Sequence, residues 1–325
     1  MNRFATMLIA GTLISSICQI SNAEWNRFRG PNGSGIREAA VPVEFGADKN
    51  MKWKVELPGR GVSCPIIVGD KIFVTCYSGY GGDLGDDIEK LKRHLVCVDR
   101  ATGKIVWDKS VKAEMPEDRW SGMGVPAHGY ASHTPTSDGT HVFVFFGKTG
   151  VLAFDMDGNQ KWKVNVGKES NDREWGSSSS PILHKDTVIV TASDESEALI
   201  ALDKATGEEK WRQEAEMLDG IWGTPALADG PKGPEVVLAV PGEVWGFNAD
   251  TGKLRWYAPG NEGASHSIVV VDDVAYSIGG GRGGSNGVAV KVGGSKEVTD
   301  LVWENQASGR SVSYTHLTLP TICSV

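Results

Sequence analysis

Residues 97–107 read CVDRATGKIVW, and this pattern returns along the chain. Two full copies and one shorter copy accompany it: ALDKATGEEKW at 201–211, GFNADTGKLRW at 246–256 and AFDMDGNQKW at 153–162. A fifth copy is degenerate, with AVK at 289–291 in place of Ala-x-Asp and a longer turn before Trp303. Internal repetition is therefore the dominant feature of the sequence.

The tryptophans that close these copies define the period of the repeat. From Trp53 through Trp107, Trp162, Trp211 and Trp256 to Trp303 the spacings are 54, 55, 49, 45 and 47 residues. Each copy is preceded by two short β-branched runs joined by a polar turn, at 65–75, 135–146, 181–191 and 267–278; the turn contains Gly-Asp in the first of these and Asp-Gly in the second. At 225–240 residues 229–234 widen the turn. Such runs predict strand–turn–strand units. Four antiparallel strands repeated at this interval predict an all-β fold, a β-propeller.

The residues of the repeated pattern are of types that stabilise turns and pack between sheets. An Asp or Asn side chain can accept hydrogen bonds from its own turn, and the glycine permits a positive φ there. A tryptophan with a large apolar face and one N–H suits packing between adjacent sheets. We assign these roles to Asp99, Gly103, Trp107, Asp155, Trp162, Asp203, Gly207, Trp211, Gly252, Trp256 and Trp303.

The pattern Ala-x-Asp-x-x-Thr-Gly-x-x-x-Trp resembles the PQQ-like repeat of quinoprotein-type propellers, over roughly residues 51–304. The segments FRGPNGSG at 28–35, RHLVC at 93–97 and HGYA at 128–131 further resemble exported PQQ-like repeat proteins of planctomycete type. BamB-like outer-membrane assembly propellers share the architecture. The resemblance implies a ring of eight or so blades, with or without a bound quinone.

The two ends differ from the repeat region. Residues 1–23 predict a secretory signal, with Arg3 at its start, an apolar stretch at 4–17 and cleavage near Ala23, so we expect a periplasmic or extracellular protein. Residues 24–50 are an N-terminal extension, and residues 51–310 hold the repeats. The stretch SYTHLTLPT at 313–321 resembles a translated sequencing-adapter tail, so residues 311–325 are predicted to be non-native.

Residues 51–56 predict a fourth strand that has no preceding three strands. Because the fifth unit supplies its own fourth strand at 301–303, the partners of residues 51–56 are expected outside this sequence. The chain is therefore predicted to be a truncated arc of about five blades with two unpaired edges, which would promote aggregation.

Composition excludes several classes of protein. Lys and Arg number 33 against 41 Asp and Glu, giving 33 − 41 = −8, which argues against a nucleic-acid surface. No apolar run reaches the roughly 18–20 residues of a membrane-spanning helix. Cys64 and Cys76 flank a predicted hairpin turn, so a disulfide and two buried thiols are both open, the thiols being favoured.

Searches for reactive motifs nominate neither a catalytic residue nor a metal site. The stretch GGGRGG at 279–284 satisfies a phosphate-loop pattern, but a strand sequence follows it rather than a helix, so we interpret it as a loop. An acidic insertion with Asp83, Asp86, Asp87 and Glu89 fails the spacing of a calcium loop and indicates solvated charge.

Small polar residues with a nearby aromatic or histidine precede each predicted inner strand. In a propeller these segments lie at one mouth of the central channel, where crowding alone also favours small residues. As candidates for ligand or partner binding at this mouth we select His128, His133, Trp175, Trp222 and His266.

Two functions are consistent with the sequence. The first is a non-catalytic exported scaffold that binds a protein or small ligand through its loops, without a cofactor. The alternative is a quinone-dependent dehydrogenase with PQQ and calcium in the channel. The resemblance implies that this would need a vicinal cysteine pair, a tryptophan platform and Glu/Asn/Asp calcium ligands. Adjacent cysteines are absent from the sequence, so the binding scaffold is favoured.

Overall fold

The repeat units fold one after another into four-stranded antiparallel sheets in the computed structural model. It describes residues 25–37, 41–119, 130–263, 266–281 and 284–307. The predicted signal at 1–23 and the predicted tail at 311–325 lie outside these residues. Within them, no helix is long and apolar enough to cross a membrane.

Each sheet keeps its main strands in chain order. The first blade contains β1 (Ile66–Val68), β2 (Lys71–Ser78), β3 (Lys92–Asp99) and β4 (Ile105–Lys112). The second contains β5 (Thr136–Ser137), β6 (His141–Phe145), β7 (Val151–Asp155) and β8 (Gln160–Val164). The third contains β9 (Ile182–His184), β10 (Thr187–Ala192), β11 (Ala198–Asp203) and β12 (Glu209–Glu214).

The fourth blade contains β13 (Ala226–Gly230), β14 (Gly233–Val240), β15 (Glu243–Asn248) and β16 (Leu254–Pro259). The fifth contains β17 (Val269–Val271), β18 (Val274–Gly281), β19 (Gly284–Lys291) and β21 (Trp303–Ala307), while β20 (Lys296–Glu297) pairs in parallel with β16. A short helix α1 (Ser193–Ser196) and 3-10 turns at Pro31–Gly33, Gly82–Leu84, Ile88–Lys90, Gly147–Thr149 and Glu216–Leu218 complete the described elements. The predicted all-β propeller with five four-stranded units is confirmed.

The first strand of each blade lies at the inner edge. First strands contact their counterparts in the next blade, β5 against β9 and β13 against β17. The fourth strands instead alternate buried or half-buried with exposed residues, as β4 and β8 do. The blades therefore converge on their first strands and expose their fourth strands to solvent.

The hydrophobic core consists of separate layers between successive blades. Phe143 and Phe145 of the second blade pack with Val188 and Val190 of the third. Equivalent clusters join the first blade to the second, the third to the fourth and the fourth to the fifth. Because these sheets bury apolar side chains on both faces, the second, third and fourth blades each depend on two neighbouring blades for their core.

The signature turn has the predicted chemistry. The carboxylate of Asp99 accepts hydrogen bonds from the N–H and the hydroxyl of Thr102. Gly207 adopts φ +77°, and a Cβ there would lie 2.8 Å from the Trp162 ring of the preceding blade. The glycine is therefore required both by the turn and by the tryptophan that packs on it.

Four of the signature tryptophans bond to the following repeat unit through the indole N–H. The acceptor is the carbonyl of the residue that follows the signature Asp or Asn. The pairs are Trp53 with Arg100 (3.0 Å), Trp107 with Met156 (3.2 Å), Trp162 with Lys204 (2.9 Å) and Trp211 with Ala249 (3.3 Å). These four tryptophans therefore make the same contact at successive repeat units.

Three local expectations are wrong. The turn at 229–234 is not widened, since β13 and β14 continue to Gly230 and Gly233. The glycine-rich stretch at 279–284 belongs to strands β18 and β19 on either side of residues 282–283, since Gly281 pairs with Gly284. Glycine can join a sheet because strand pairing uses only backbone groups. Residues 51–57 are not assigned to a strand, although Trp53 occupies the position of a fourth-strand tryptophan.

Cys64, Cys76 and Cys97 are buried thiols that form no disulfide with one another. Burial raises the pKa of Cys76 to about 11 and that of Cys97 to about 12. In the acidic insertion, Asp83 pairs with Arg60 and Glu89 with Lys112, all at exposed positions.

Candidate binding site at the channel mouth

The small polar residues before the inner strands form a ladder of hydrogen bonds. Two residues before each first strand, a backbone N–H donates to the hydroxyl at the same position of the next blade. The pairs are Cys64 to Thr134 (2.9 Å), Thr134 to Ser180 (3.0 Å), Ser180 to Thr224 (3.0 Å) and Thr224 to Ser267 (3.0 Å). These hydroxyls set the spacing of the blades at their inner edge.

The two described candidate histidines lie inside the protein. His133 packs edge-on against Phe145 and contacts the Ser177 hydroxyl at 3.2 Å through Nε2, while His266 contacts the Ser277 hydroxyl. Burial lowers the pKa of His133 to about 3 and that of His266 to about 4, so both imidazoles are neutral at pH 7. His128, the third candidate, lies outside the described residues.

The two candidate tryptophans come together at the surface of the mouth. The rings of Trp175 and Trp222 stack with centroids 5.6 Å apart and an angle of 26°. The guanidinium of Arg173 lies 5.5 Å from the centroid of each ring. Trp222 donates its indole N–H to the Gly176 carbonyl at 3.0 Å, and Trp175 remains 50% exposed. We call Arg173, Trp175 and Trp222 the aromatic patch.

A buried polar cluster lies beneath the mouth, at the junction of the first three blades. Arg93 of β3 pairs with Glu117 at 2.7 Å and also donates to the Thr149 hydroxyl. Lys148, on the turn between β6 and β7, pairs with Asp118 at 2.7 Å. Both pairs are almost entirely removed from solvent, so each charge depends on its partner.

Glu195 of α1 is the deepest carboxyl group of this cluster. Its Oε1 accepts a 2.6 Å hydrogen bond from Ser177, and its Oε2 is buried without a hydrogen-bond partner. Burial, outweighing the Ser177 bond, raises the pKa of Glu195 to about 8. Burial likewise raises the pKa of the adjacent Asp194 to about 6. Glu195 is therefore mainly protonated at pH 7.

The cluster surrounds a cavity of about 20 Å³, lined by Asp118, His133, Ser177 and Glu195 among others. This is room for about one water molecule. Ser177 lies between the imidazole and the carboxyl group, and Nδ1 of His133 receives no hydrogen bond. This order differs from that of a Ser–His–acid triad, in which the carboxylate orients the imidazole.

Sequence reasoning missed every charged member of this cluster. Glu195 lies in the sequence SDES at 193–196, between the mainly apolar strands β10 and β11. The second blade has GKT at 147–149 in the corresponding turn. An acidic residue between two mainly apolar strands could have indicated a buried carboxyl group from the sequence. Arg93 was visible only as part of a family resemblance, and Glu117 and Asp118 follow β4 without any distinguishing pattern.

In the described part of the chain, no three His, Cys, Asp or Glu side chains are placed to hold a metal ion. The ladder, the aromatic patch and the buried cluster all lie at one end of the channel, where the segments leading into the first strands meet the loops that connect second to third strands.

Sheets that converge on their first strands, with tryptophans of the first three blades bonded to the turn of the next blade, define a β-propeller of the PQQ-like repeat type. The family of the outer membrane protein assembly factor BamB matches residues 52–216 and 190–314, and the chain belongs to this family. No curated protein matches it.

Solved structures share the fold at low identity. BamB of Moraxella catarrhalis is 19% identical, with a TM-score of 0.49 over 73% of this chain and 61% of that one. Quinohemoprotein alcohol dehydrogenase of Comamonas testosteroni is 13% identical, with a TM-score of 0.56 over 87% and 49%. The computationally designed Ika8 protein is 13% identical, with a TM-score of 0.51 over 78% and 64%. This chain thus spans 49–64% of the length of these three structures.

Proposed function

We propose that this chain is an exported, non-catalytic scaffold that binds a protein partner at the channel mouth, through the aromatic patch. The observation that carries the proposal is the stacked pair of Trp175 and Trp222 at the surface, with Arg173 over both rings. Tryptophan and arginine are the residue types most enriched among the hot spots of protein interfaces.

The patch is organised before any partner arrives. The indole bond of Trp222 to Gly176 holds one ring, and stacking orders the half-exposed ring of Trp175. A rigid aromatic surface loses little conformational entropy on binding. The cavity beneath it is polar and has room for little more than a water molecule, which favours a protein surface over a small ligand as the partner.

Export is proposed from the signal-like residues 1–23 and from the membership in a family described as an outer membrane assembly factor. In the same way, we propose that the scaffold works outside the cytoplasm without spanning a membrane.

The residues described here do not fit a bound quinone with calcium. The three cysteines of the described chain are separated in sequence, and the ion pairs of Arg93 and Lys148 occupy the space beneath the mouth. No three His, Cys, Asp or Glu side chains of the described residues are grouped to hold a metal ion. Addition of PQQ and Ca²⁺ to the protein, followed by absorbance and dye-linked alcohol oxidation, tests the dehydrogenase alternative directly.

A photo-crosslinking amino acid at Asp172, an exposed position next to Arg173 that leaves the aromatic patch intact, tests the binding proposal in cells of the source organism. We expect one discrete protein adduct from position 172. The control is the same amino acid at Val106, an exposed residue of β4 on the outer edge. An identical set of adducts from both positions, or none from position 172, would contradict the proposal.

Substitution separates binding from folding. Trp175→Ala should abolish co-purification of the crosslinked protein while leaving the thermal unfolding midpoint of the propeller nearly unchanged, since this side chain is half exposed. If Trp175→Ala instead lowers the thermal unfolding midpoint so far that the protein is unfolded under the binding conditions, the patch has a structural role.

A further inference from the structure

The N-terminal segment 25–33 crosses the space that the first strands enclose. The carbonyl of Trp25 accepts from Ile67 of the first blade, and Asn26 exchanges hydrogen bonds with Ser137 of the second. Asn32 exchanges side-chain bonds with the backbone of Leu227 in the fourth blade. The segment therefore bridges inner strands of three different blades and passes through the channel.

Arg27 lies within this crossing. It is 7% exposed, and one Nη donates to the Pro225 carbonyl at 3.1 Å. Its Nε is buried without a hydrogen-bond partner. Among the described residues, no carboxylate lies within ion-pair distance of this guanidinium.

This isolation distinguishes Arg27 from two other buried cations of the described residues. Arg93 pairs with Glu117 and Lys148 with Asp118, each at 2.7 Å. A buried charge without a counter-charge is strongly unfavourable. A guanidinium does not escape this cost by deprotonation, because its pKa is very high. Burial lowers the pKa of Arg27 only to about 10, so it remains a cation at neutral pH.

A second arginine adds positive charge to the same segment. Arg29 is 8% exposed, and its charge helps to lower the pKa of the nearby His266. Segment 25–33 therefore carries two buried guanidinium groups near a neutral imidazole.

We propose that the guanidinium of Arg27 is an anion-binding site in the channel, for the oxygen atoms of a carboxylate or phosphate group. The unpartnered Nε–H is directed at no protein acceptor, and a guanidinium matches the planar geometry of two oxygens on one anion. A bound anion neutralises the charge and fastens segment 25–33 between the first, second and fourth blades. This site is independent of the aromatic patch.

The test is the thermal unfolding midpoint of the full chain, titrated with inorganic phosphate or with acetate at constant ionic strength set by sodium chloride. A ligand that binds only the folded state raises the midpoint with its concentration. We expect a saturating rise in the native chain. In Arg27→Met the apparent affinity should fall about tenfold or more, as expected for losing a hydrogen bond to a charged group.

Arg100→Met is the matched control. This arginine also donates to a backbone carbonyl, that of Gly69, but it is exposed. It should keep the full response. A rise with phosphate alone assigns a phosphate ligand, and a rise with acetate alone a carboxylate. The absence of a saturating rise in the native chain, or an equal rise in Arg27→Met, overturns the proposal. The first of these outcomes is measured on the native chain alone, so it does not depend on whether a variant folds.

Discussion

Trp256 donates its indole N–H to Oε2 of Glu235, 2.8 Å away in its own blade. The other closing tryptophans with a described following blade donate across the interface, to the backbone after a signature Asp or Asn. The fifth blade has Lys291 at the position of that Asp, and a lysine has no acceptor atom for the turn's N–H groups. The buried carboxylate of Glu235 accepts the indole N–H instead, and it also accepts from the N–H of Gly293 in the fifth blade.

Glu235→Leu should destabilise the protein by about 3 kcal/mol or more, because it leaves two buried N–H groups and the Arg255 charge without their acceptor. Glu235→Gln should cost less, since an amide oxygen can still accept from Trp256. Urea unfolding measures both. Glu208→Leu, at an exposed position, should change stability by less than about 0.5 kcal/mol. Equal losses in all three variants would refute this role of Glu235.

Thr224→Val tests the hydroxyl ladder. It removes the acceptor of the Ser180 N–H while keeping the side-chain shape, and it should cost about 1–3 kcal/mol. Thr191→Val is its counterpart, because the Thr191 hydroxyl is equally buried but has no hydrogen-bond partner. This second change should be neutral or stabilising. If Thr224→Val proves as mild as Thr191→Val in guanidinium unfolding, the ladder contributes nothing to stability.

Gly207→Ala should be much more damaging than Gly69→Ala. Both glycines have positive φ, so both variants carry a backbone cost of about 1 kcal/mol. Only at Gly207 does the new methyl group also meet a ring, that of Trp162 at 2.8 Å. We expect a total loss of about 3 kcal/mol at Gly207. The measurement is calorimetric unfolding of both variants. Equal losses of stability in Gly207→Ala and Gly69→Ala would refute the steric argument.

Glu195→Gln should make the protein less sensitive to alkaline pH. The folded pKa of about 8 lies above the value of about 4.3 for an exposed glutamate. Between these two pH values the folded state holds a proton that the unfolded state has released, so native stability falls as pH rises. Glutamine has no such proton, and its carbonyl can still accept from Ser177.

The measurement is the free energy of unfolding of both proteins at pH 5, 6, 7 and 8. The stability of Glu195→Gln relative to the native chain should increase steadily over this series. Asp194 titrates in both proteins with a pKa of about 6, so its contribution largely cancels in the difference. A difference that stays constant with pH would show that Glu195 is not held protonated.

The fold was predictable because its determinants are local and repeated. Asp99, Gly103 and Trp107 specify one turn and one packing contact, and the same choice recurs in each unit. The site was predictable only in part. Trp175 and Trp222 were found because they sit before inner strands, but their stacking depends on two different blades.

The buried charges had no comparable signal. Arg93 and Glu117 are 24 positions apart, and their pairing depends on how the chain leaves β4. Arg27 is more remote still, since the carbonyl that accepts from it belongs to Pro225, 198 positions later. Such contacts are set by tertiary geometry rather than by any period in the sequence.

Three of the four described joints between neighbouring blades contain two repeated hydrogen bonds, one to a hydroxyl at the inner edge and one from a tryptophan to the next turn. In each bond the donor comes from one blade and the acceptor from the next, with the same kind of acceptor at each of these joints. A tandem duplication of the second or third unit would therefore place a compatible donor and acceptor at both of its borders. Evolution can lengthen or shorten such a protein in steps of one repeat, whereas a step of half a repeat leaves both joints mismatched.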